Sequence, residues 1–399
     1  MTAPIRRVLP PSASRLELRD IGAGLASWLA RTDSRGALAR AVRRRFGVRH
    51  VFPVSSGRAA LWAGLMALRQ LSPDRNEVLL PAFTAFSVPS AVIRAGLAIR
   101  LYDLDPWTLT PDMAGLERAM SGRTLCVVLC HLFGYPLDVR PARELADRHG
   151  AAVIDDAAQA MGASLDGRWA GTQGDFGLFS LGRGKNMTAV GGGLLVTDRD
   201  DLAAALAELP ETRRVSRWSA PRSLAQAMAL LVAVHPRVYR LPASLPWLHV
   251  GASIFDPDFP VAGLDGFRAG MAVRVLDRLE RVTAGRRAVA GRLLAILAEA
   301  PGIRAVRSVS EPVYLRLPLL PDADWPAGRA PVCPALGVVR SYPLPVHRIA
   351  AVAPYLDASR SYPGAEFLAR NLITAPTHAF VRAGDVAAMA HLFQGREAT

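Results

Sequence analysis

AAVIDD (151–156) and GTQGDFGLFSLGRGKN (171–186) decide the fold. The first is an apolar run that ends in two carboxylates. The second is an apolar run that ends in a glycine-punctuated loop carrying Lys185. Short apolar runs bounded by Gly, Asp and Asn read as strands. Open α/β sheets bind ligands beyond the carboxyl ends of their strands, so Asp155 and Asp156 lie where a ligand is expected.

The same texture extends on both sides. Strands are predicted at 77–81, 97–103, 124–131, 151–155, 175–181 and 192–197, and helices at 58–71, 87–96, 110–120 and 138–150. This alternation predicts an α/β class with a largely parallel sheet. Residues 1–50 read as an Arg-rich arm with a helix around ALARAVRRRFG (37–47). Residues 51–255 form the large domain. Residues 256–399 hold one long bridging helix (267–298) and a small α+β domain, with strand-like YLRLPLL (314–320) and helices near 363–372 and 384–394. Within the large domain, an apolar insert spans about 215–255. SLAQAMALLVAV (223–234) is too short to cross a bilayer and is expected to be buried or to face an oligomer. The alternative is a helix lying on a membrane through 223–250, flanked by Trp218, Arg222, Arg237 and Trp247.

With 399 residues, 51% apolar and 21% charged, the chain is long enough for two packed domains. Net charge is +14. The arginines are spread along the chain, which points to anionic small molecules rather than nucleic acid. The cysteines (126, 130 and 333) are few, odd in number and not at zinc spacing, so a reduced, cytoplasmic protein without a metal centre is expected. The opening MTAPIRRVLPPSASRLEL lacks the apolar core of a secretory leader.

Of 48 basic residues only Lys185 is lysine; the other 47 are arginine. Arginine cannot lose its proton, whereas a lysine amine can, and it can then form a Schiff base with an aldehyde. Pyridoxal phosphate (PLP) needs such an amine. It also needs a carboxylate to keep its ring nitrogen protonated and a phosphate cradle at a helix N-terminus. One Asp of the pair Asp155–Asp156 is the candidate carboxylate. Ser55, Ser56 and Gly57 precede a helix and are the candidate cradle, and Ser180 is a further phosphate ligand. GRGKN is not a P-loop, and the glycines at 191–193 are not a dinucleotide fingerprint.

SSGRAAL (55–61), LLPAFTAFSVPSAVIRAG (79–96), YDLDPWTLTPDMAGLERAM (102–120), HLFGYPLDV (131–139), VIDDAAQAMGA (153–163), GDFGLFSLGRGKN (174–186) and APTH (375–378) resemble, in this order, the DegT/DnrJ/StrS-type sugar aminotransferases. The resemblance implies PLP fold-type I architecture and a homodimer with shared active sites. It also implies transfer of an amine from an amino acid, glutamate, to a keto-sugar, typically nucleotide-linked. It makes Lys185 the Schiff-base lysine and proton carrier, and Asp156 the partner of the ring nitrogen. Ala158 would lie against the ring face, and Gln159 near its phenolic oxygen. Ser56, Ser180 and the backbone of Gly57 and Arg58 would hold the phosphate, with Phe86 as the nearby aromatic. Several positions depart from the family. Arg58 stands where Thr is usual, Ala85 where the aromatic is usual, and Gly182 where His is usual. The Asn-aromatic-Arg-Met-Ser-Glu motif is not recognisable in FPVAGLDGFRAGM (259–271). The cofactor half of the site is retained and the substrate half rewritten. Family dehydratases carry His in place of the lysine, so Lys185 argues against that branch. A non-enzymatic binding protein on the same fold is the other alternative.

Overall fold

The computed structural model describes residues 7–244, 254–300, 302–322, 331–356 and 361–394. Its central sheet holds β1 (His50–Val54), β2 (Glu77–Pro81), β3 (Ala98–Tyr102), β4 (Thr124–Cys130), β5 (Ala152–Asp156), β8 (Phe176–Ser180) and β9 (Gly193–Thr197). A two-stranded hairpin, β6 (Ser164–Leu165) and β7 (Arg168–Trp169), lies between β5 and β8. The order across the sheet is β1-β9-β8-β5-β4-β2-β3. The last five are parallel, while β9 and β1 run antiparallel to their neighbours. β4 (TLCVVLC) is buried along its whole length, as a strand covered on both faces requires. β1 escaped the sequence reading because Pro53 interrupts a half-exposed edge strand.

Helices α1 (Leu18–Leu29), α2 (Ser34–Phe46), α3 (Gly57–Leu71), α4 (Ser87–Arg94), α5 (Met113–Ala119), α6 (Arg140–Arg148) and α7 (Asp200–Glu208) pack with this sheet, followed by α8 (Ser219–Ala233) and the single turn α9 (Arg240–Ala243). The expected helix at 267–298 is two helices, α10 (Gly266–Leu276) and α11 (Leu279–Leu297). The break falls at Asp277–Arg278, where the buried Arg278 guanidinium pairs with Glu17 and Asp20 at the start of α1. A continuous helix would aim that side chain elsewhere, and Asp20 would be left as a buried, unpaired charge. A second, antiparallel sheet contains β10 (Ile303–Ala305), β11 (Arg316–Pro321), β12 (Val339–Arg340) and β13 (Ile373–Pro376), ordered β10-β11-β13-β12. It packs with α11 and α13 (Ala383–Phe393) around Leu293, Leu317, Met389 and Phe393, and α12 (Pro363–Asn371) docks against the large core.

α8, expected to be buried or to face an oligomer, is buried on one face only: Ala220, Ser223 and Ala227 face the protein, and Met228 and Val232 are exposed. Within the arm, residues 7–14 are fastened to the body of the protein. The Val8 and Leu9 amides donate to the Pro236 and Ala335 carbonyls. Pro10 accepts from His378, and Ser12 and Ser14 donate to the Gly184 and Lys185 carbonyls. Among the described residues, no helix is long and apolar enough to cross a membrane, and no cluster of His, Cys, Asp and Glu is fit to hold a metal ion. Trp247 and the rest of 245–253 lie outside the described residues.

Candidate active site

The ends of β5 and β8 and the start of α3 converge on one place. Consecutive strand residues point to opposite faces, so Asp155 and Asp156 part company. Asp155 is fully buried and saturated. It accepts from His131 Nε2 and, at 2.9 Å each, from the Gly171 and Gln173 amides. The other ring nitrogen of His131, Nδ1, accepts from Leu137 N at 2.9 Å, which leaves Nε2 as the donor to Asp155. Asp156 faces the other way. Its Oδ1 accepts from Ala158 N at 2.9 Å, and its Oδ2 lies 3.8 Å from the Cys130 thiol. Of the pair, Asp156 is the one whose charge is felt at Lys185.

Burial pushes the Lys185 amine below the ordinary lysine value, against the pull of Asp156. Burial likewise raises the Asp156 carboxyl, opposed by the Ala158 amide and by Lys185. Burial thus favours the neutral form of each group, and a cation arriving beside Asp156 would draw its carboxyl back to the charged form. Cys130 also sits here. Its thiol is pushed well up by burial and by Asp156, so it stands as a neutral donor.

The cradle is equally close. Gly57 opens α3, and a Cβ there would lie 3.1 Å from Ser180 Cβ and 3.3 Å from its Oγ. Gly193 abuts the Ser56 carbonyl at 2.3 Å from the position of a Cβ, which explains a glycine in the 191–193 run. The Ser180 hydroxyl accepts weakly from Gly182 N at 3.3 Å. Ser56 spends its side chain capping α3, accepting from Ala59 N at 3.1 Å. Arg58, the second residue of α3, turns its side chain to its own chain. Its guanidinium pairs with Asp256 at 3.1 Å and stacks on Phe259. Phe86 is buried at the start of α4 and accepts from Ser90 through its carbonyl. Ser90 in turn accepts from Asp256 N.

Gln159 is held on both sides: its Oε1 accepts from Phe133 N at 3.1 Å, and its Nε2 donates to the Tyr342 hydroxyl at 2.9 Å. Tyr342 stacks on Phe133, and burial holds its phenol up at about 12. Both residues have left-handed backbone, φ 51° and 56°, as do Val190 and Tyr314. Such strain gathers at functional sites. Sequence reading missed Tyr342, Cys130 and Ser14; no local pattern marks them, because chain closure brings them to the site. Segment 259–264 is pinned to its own chain, since Ala262 exchanges bonds with Ser55 and Gly263 bridges Val54.

A buried amine and a buried carboxylate feel each other's charge, and a hydroxyl lies against a glycine-opened helix N-terminus. Comparison with known proteins matches residues 16–225 to the DegT/DnrJ/EryC1/StrS aminotransferase family. The chain belongs to that family. It is 38% identical over 161 residues to UDP-N-acetyl-3-dehydro-alpha-D-glucosamine 3-aminotransferase of Acidithiobacillus ferrooxidans, covering 40% of this chain and 43% of that one. It is 37% identical over 160 residues to GDP-perosamine synthase of Caulobacter vibrioides, with the same coverage. The matched stretch thus spans less than half the length of these curated relatives. Among solved structures, the Helicobacter pylori aminotransferase PseC superposes with a TM-score of 0.79 at 16% identity, covering 98% of this chain and 99% of that one. The E. coli GDP-4-keto-6-deoxy-D-mannose-3-dehydratase with bound hydrated PLP gives 0.77 at 17%, covering 97% and 99%. The family member therefore has the PLP fold-type I architecture.

Proposed function

We propose that this chain is a PLP-dependent aminotransferase that moves an amino group from an acidic amino acid, glutamate, to a nucleotide-linked keto-sugar. We take it to work as a cytoplasmic homodimer. The observation that carries this reading is the close approach of Gly57, at the start of α3, to Ser180, with Lys185 five residues on buried and within the field of the buried Asp156. These residues fit PLP: a lysine amine for the aldehyde, a carboxylate for the ring nitrogen, and N–H groups at the start of α3 with a hydroxyl for the phosphate. When bound, PLP supplies an electron sink for breaking a C–H bond next to nitrogen.

The protein's own groups do the rest. The amine of Lys185, biased to the neutral form by burial, takes a proton at Nζ and returns it. Asp156 holds positive charge on its side of the site, and the Cys130 thiol keeps that carboxylate in place. Gln159, locked between Phe133 and Tyr342, presents a fixed amide edge.

An acidic donor is supported by Arg316. Its Nη1 donates to Ser341 at 3.0 Å, while its Nε and Nη2 have no partner among the described residues. Among the described residues no carboxylate pairs with it, burial pulls it down to about 10, and its field reaches Tyr342. A donor carboxylate approaching Tyr342 would gain from that charge. The sugar acceptor is supported by the UDP- and GDP-sugar names of the relatives.

The test is the visible absorption spectrum of purified protein with PLP, before and after L-glutamate. The reading expects the band of lysine-bound PLP, and its replacement by the pyridoxamine form on adding glutamate. Absence of the first band would overturn the cofactor assignment. A band that L-glutamate leaves unchanged would overturn the donor.

A further inference from the structure

The outward face of α8 has the wrong chemistry for a helix in water. Ser219 and Ser223 both donate to Asp265 Oδ2 at 2.9 Å, and Arg268 donates to Gln226, so the helix is fastened to the body of the protein. With Ala220, Ser223 and Ala227 turned inward, the opposite arc should be polar. It carries instead Ala225, Met228, Ala229 and Val232, all exposed. Trp218 and Leu241, at the two ends of the segment, are 56% and 68% exposed.

Around this apolar strip stand Arg213, Arg214, Arg217, Arg222, Arg237 and Arg240, all exposed. Between Glu211 and Asp256 the sequence has no acidic residue. Among the described residues none of the six forms an ion pair, although many arginines elsewhere do. Arg217 instead lies over the Trp218 ring, 5.5 Å from its centroid.

We propose that α8 and its flanks, residues 213–241, dock this protein on an anionic lipid bilayer. An apolar arc rimmed by arginines with a tryptophan at its edge is the pattern of a helix lying in a membrane interface. Its aliphatic and aromatic groups enter the acyl boundary while the guanidinium groups stay among the headgroups. A second copy of the chain is a poor occupant, because a two-fold contact through this face would set arginines against arginines. The inference is independent of the reaction assigned above. It would bring a soluble catalytic body to a membrane surface.

The test is flotation of the full chain with vesicles of phosphatidylcholine alone and of phosphatidylcholine mixed with phosphatidylglycerol. The protein is expected to float with the mixed vesicles, to sink with the neutral ones, and to detach as salt is raised. Each arginine near an anionic surface is worth roughly fivefold in binding, so Arg217→Glu with Arg222→Glu should weaken it by about 30-fold or more. Met228→Ser with Val232→Ser should weaken it at constant charge. Both pairs of positions are exposed, and unchanged thermal unfolding confirms that the variants fold. The proposal is overturned if the protein ignores both vesicle types, or if it floats equally well in both variants. It is also overturned if sedimentation shows a self-association that Met228→Ser abolishes while vesicles are not bound; the strip would then belong to another copy.

Discussion

On the proposed function, Lys185 is the residue on which the chemistry turns, and its environment makes a specific demand. An arginine there keeps the charge and loses the amine. Lys185→Arg should fold, show no visible band with PLP, and lose at least the ~10²–10⁴-fold that a positioned proton carrier contributes, measured as amine transfer. Because burial lowers its pKa, the amine should capture PLP at pH values well below the 10.5 of an ordinary lysine, as the pH profile of band formation would register. Gly57→Ala should act on the phosphate cradle, since its methyl would press on Ser180. The expected result is weaker retention of PLP on dialysis with little change in unfolding temperature. These residues were legible in the sequence because each is marked locally: the only lysine, a carboxylate pair at a strand end, a Ser-Gly step before a helix. Tyr342, Cys130 and Ser14 carry no such mark. A tyrosine, a thiol in an apolar strand and a serine in a Pro-rich stretch acquire meaning only when distant segments close on Gln159, Asp156 and Lys185.

At the level of elements, α1 and α10 show why some structure was hidden. LRDIGAGLASWL (18–29) carries two glycines, and its helical pattern is weak for that reason. Gly24 is nevertheless required. A Cβ at 24 would lie 2.7 Å from the Phe267 carbonyl, and one at Gly270 would lie 2.3 Å from the Ser27 hydroxyl. The two helices cross at a distance that only glycine permits on these faces. Gly24→Ala or Gly270→Ala should therefore destabilise the protein by about 1–3 kcal/mol despite raising helix propensity, read as a lower urea midpoint. The strands of the parallel sheet were readable because burial on both faces writes itself as continuous apolar runs. The break between α10 and α11 was not, because its cause is an ion pair with a carboxylate some 260 positions away in sequence, whose two partners are numbered 20 and 278.

For the whole molecule, His378, just after β13, ties the second sheet to the segment 7–14. Its Nε2 donates to the Pro10 carbonyl at 2.8 Å, and its Nδ1 accepts from Phe380 N at 3.3 Å, so only the neutral ring satisfies both. Burial, with Arg286 and Arg316 nearby, lowers its pKa from 6.5 to about 3. The unfolded chain takes up this proton below about pH 6.5 and the folded one does not. Stability should thus be full above that pH and fall as pH drops from there toward 3, by about 1.4 kcal/mol per pH unit for this one group. Urea unfolding between about pH 7 and pH 5 should show a shallower decline in His378→Gln than in the parent.

The threading of residues 7–14 also sets a schedule. Ser14 grips the carbonyl of Lys185, but the grip is backed by His378, and Arg7 by Asp385, from the far end of the described chain. A ribosome adding about 5–20 residues per second needs roughly 20–70 s to travel from residue 14 to residue 378. During that interval the large sheet can form while the lysine's loop lacks its clamp. Nascent chains stalled short of residue 378 should carry an assembled sheet and hold PLP poorly. The loop that bears the amine is then among the last parts of the protein to set.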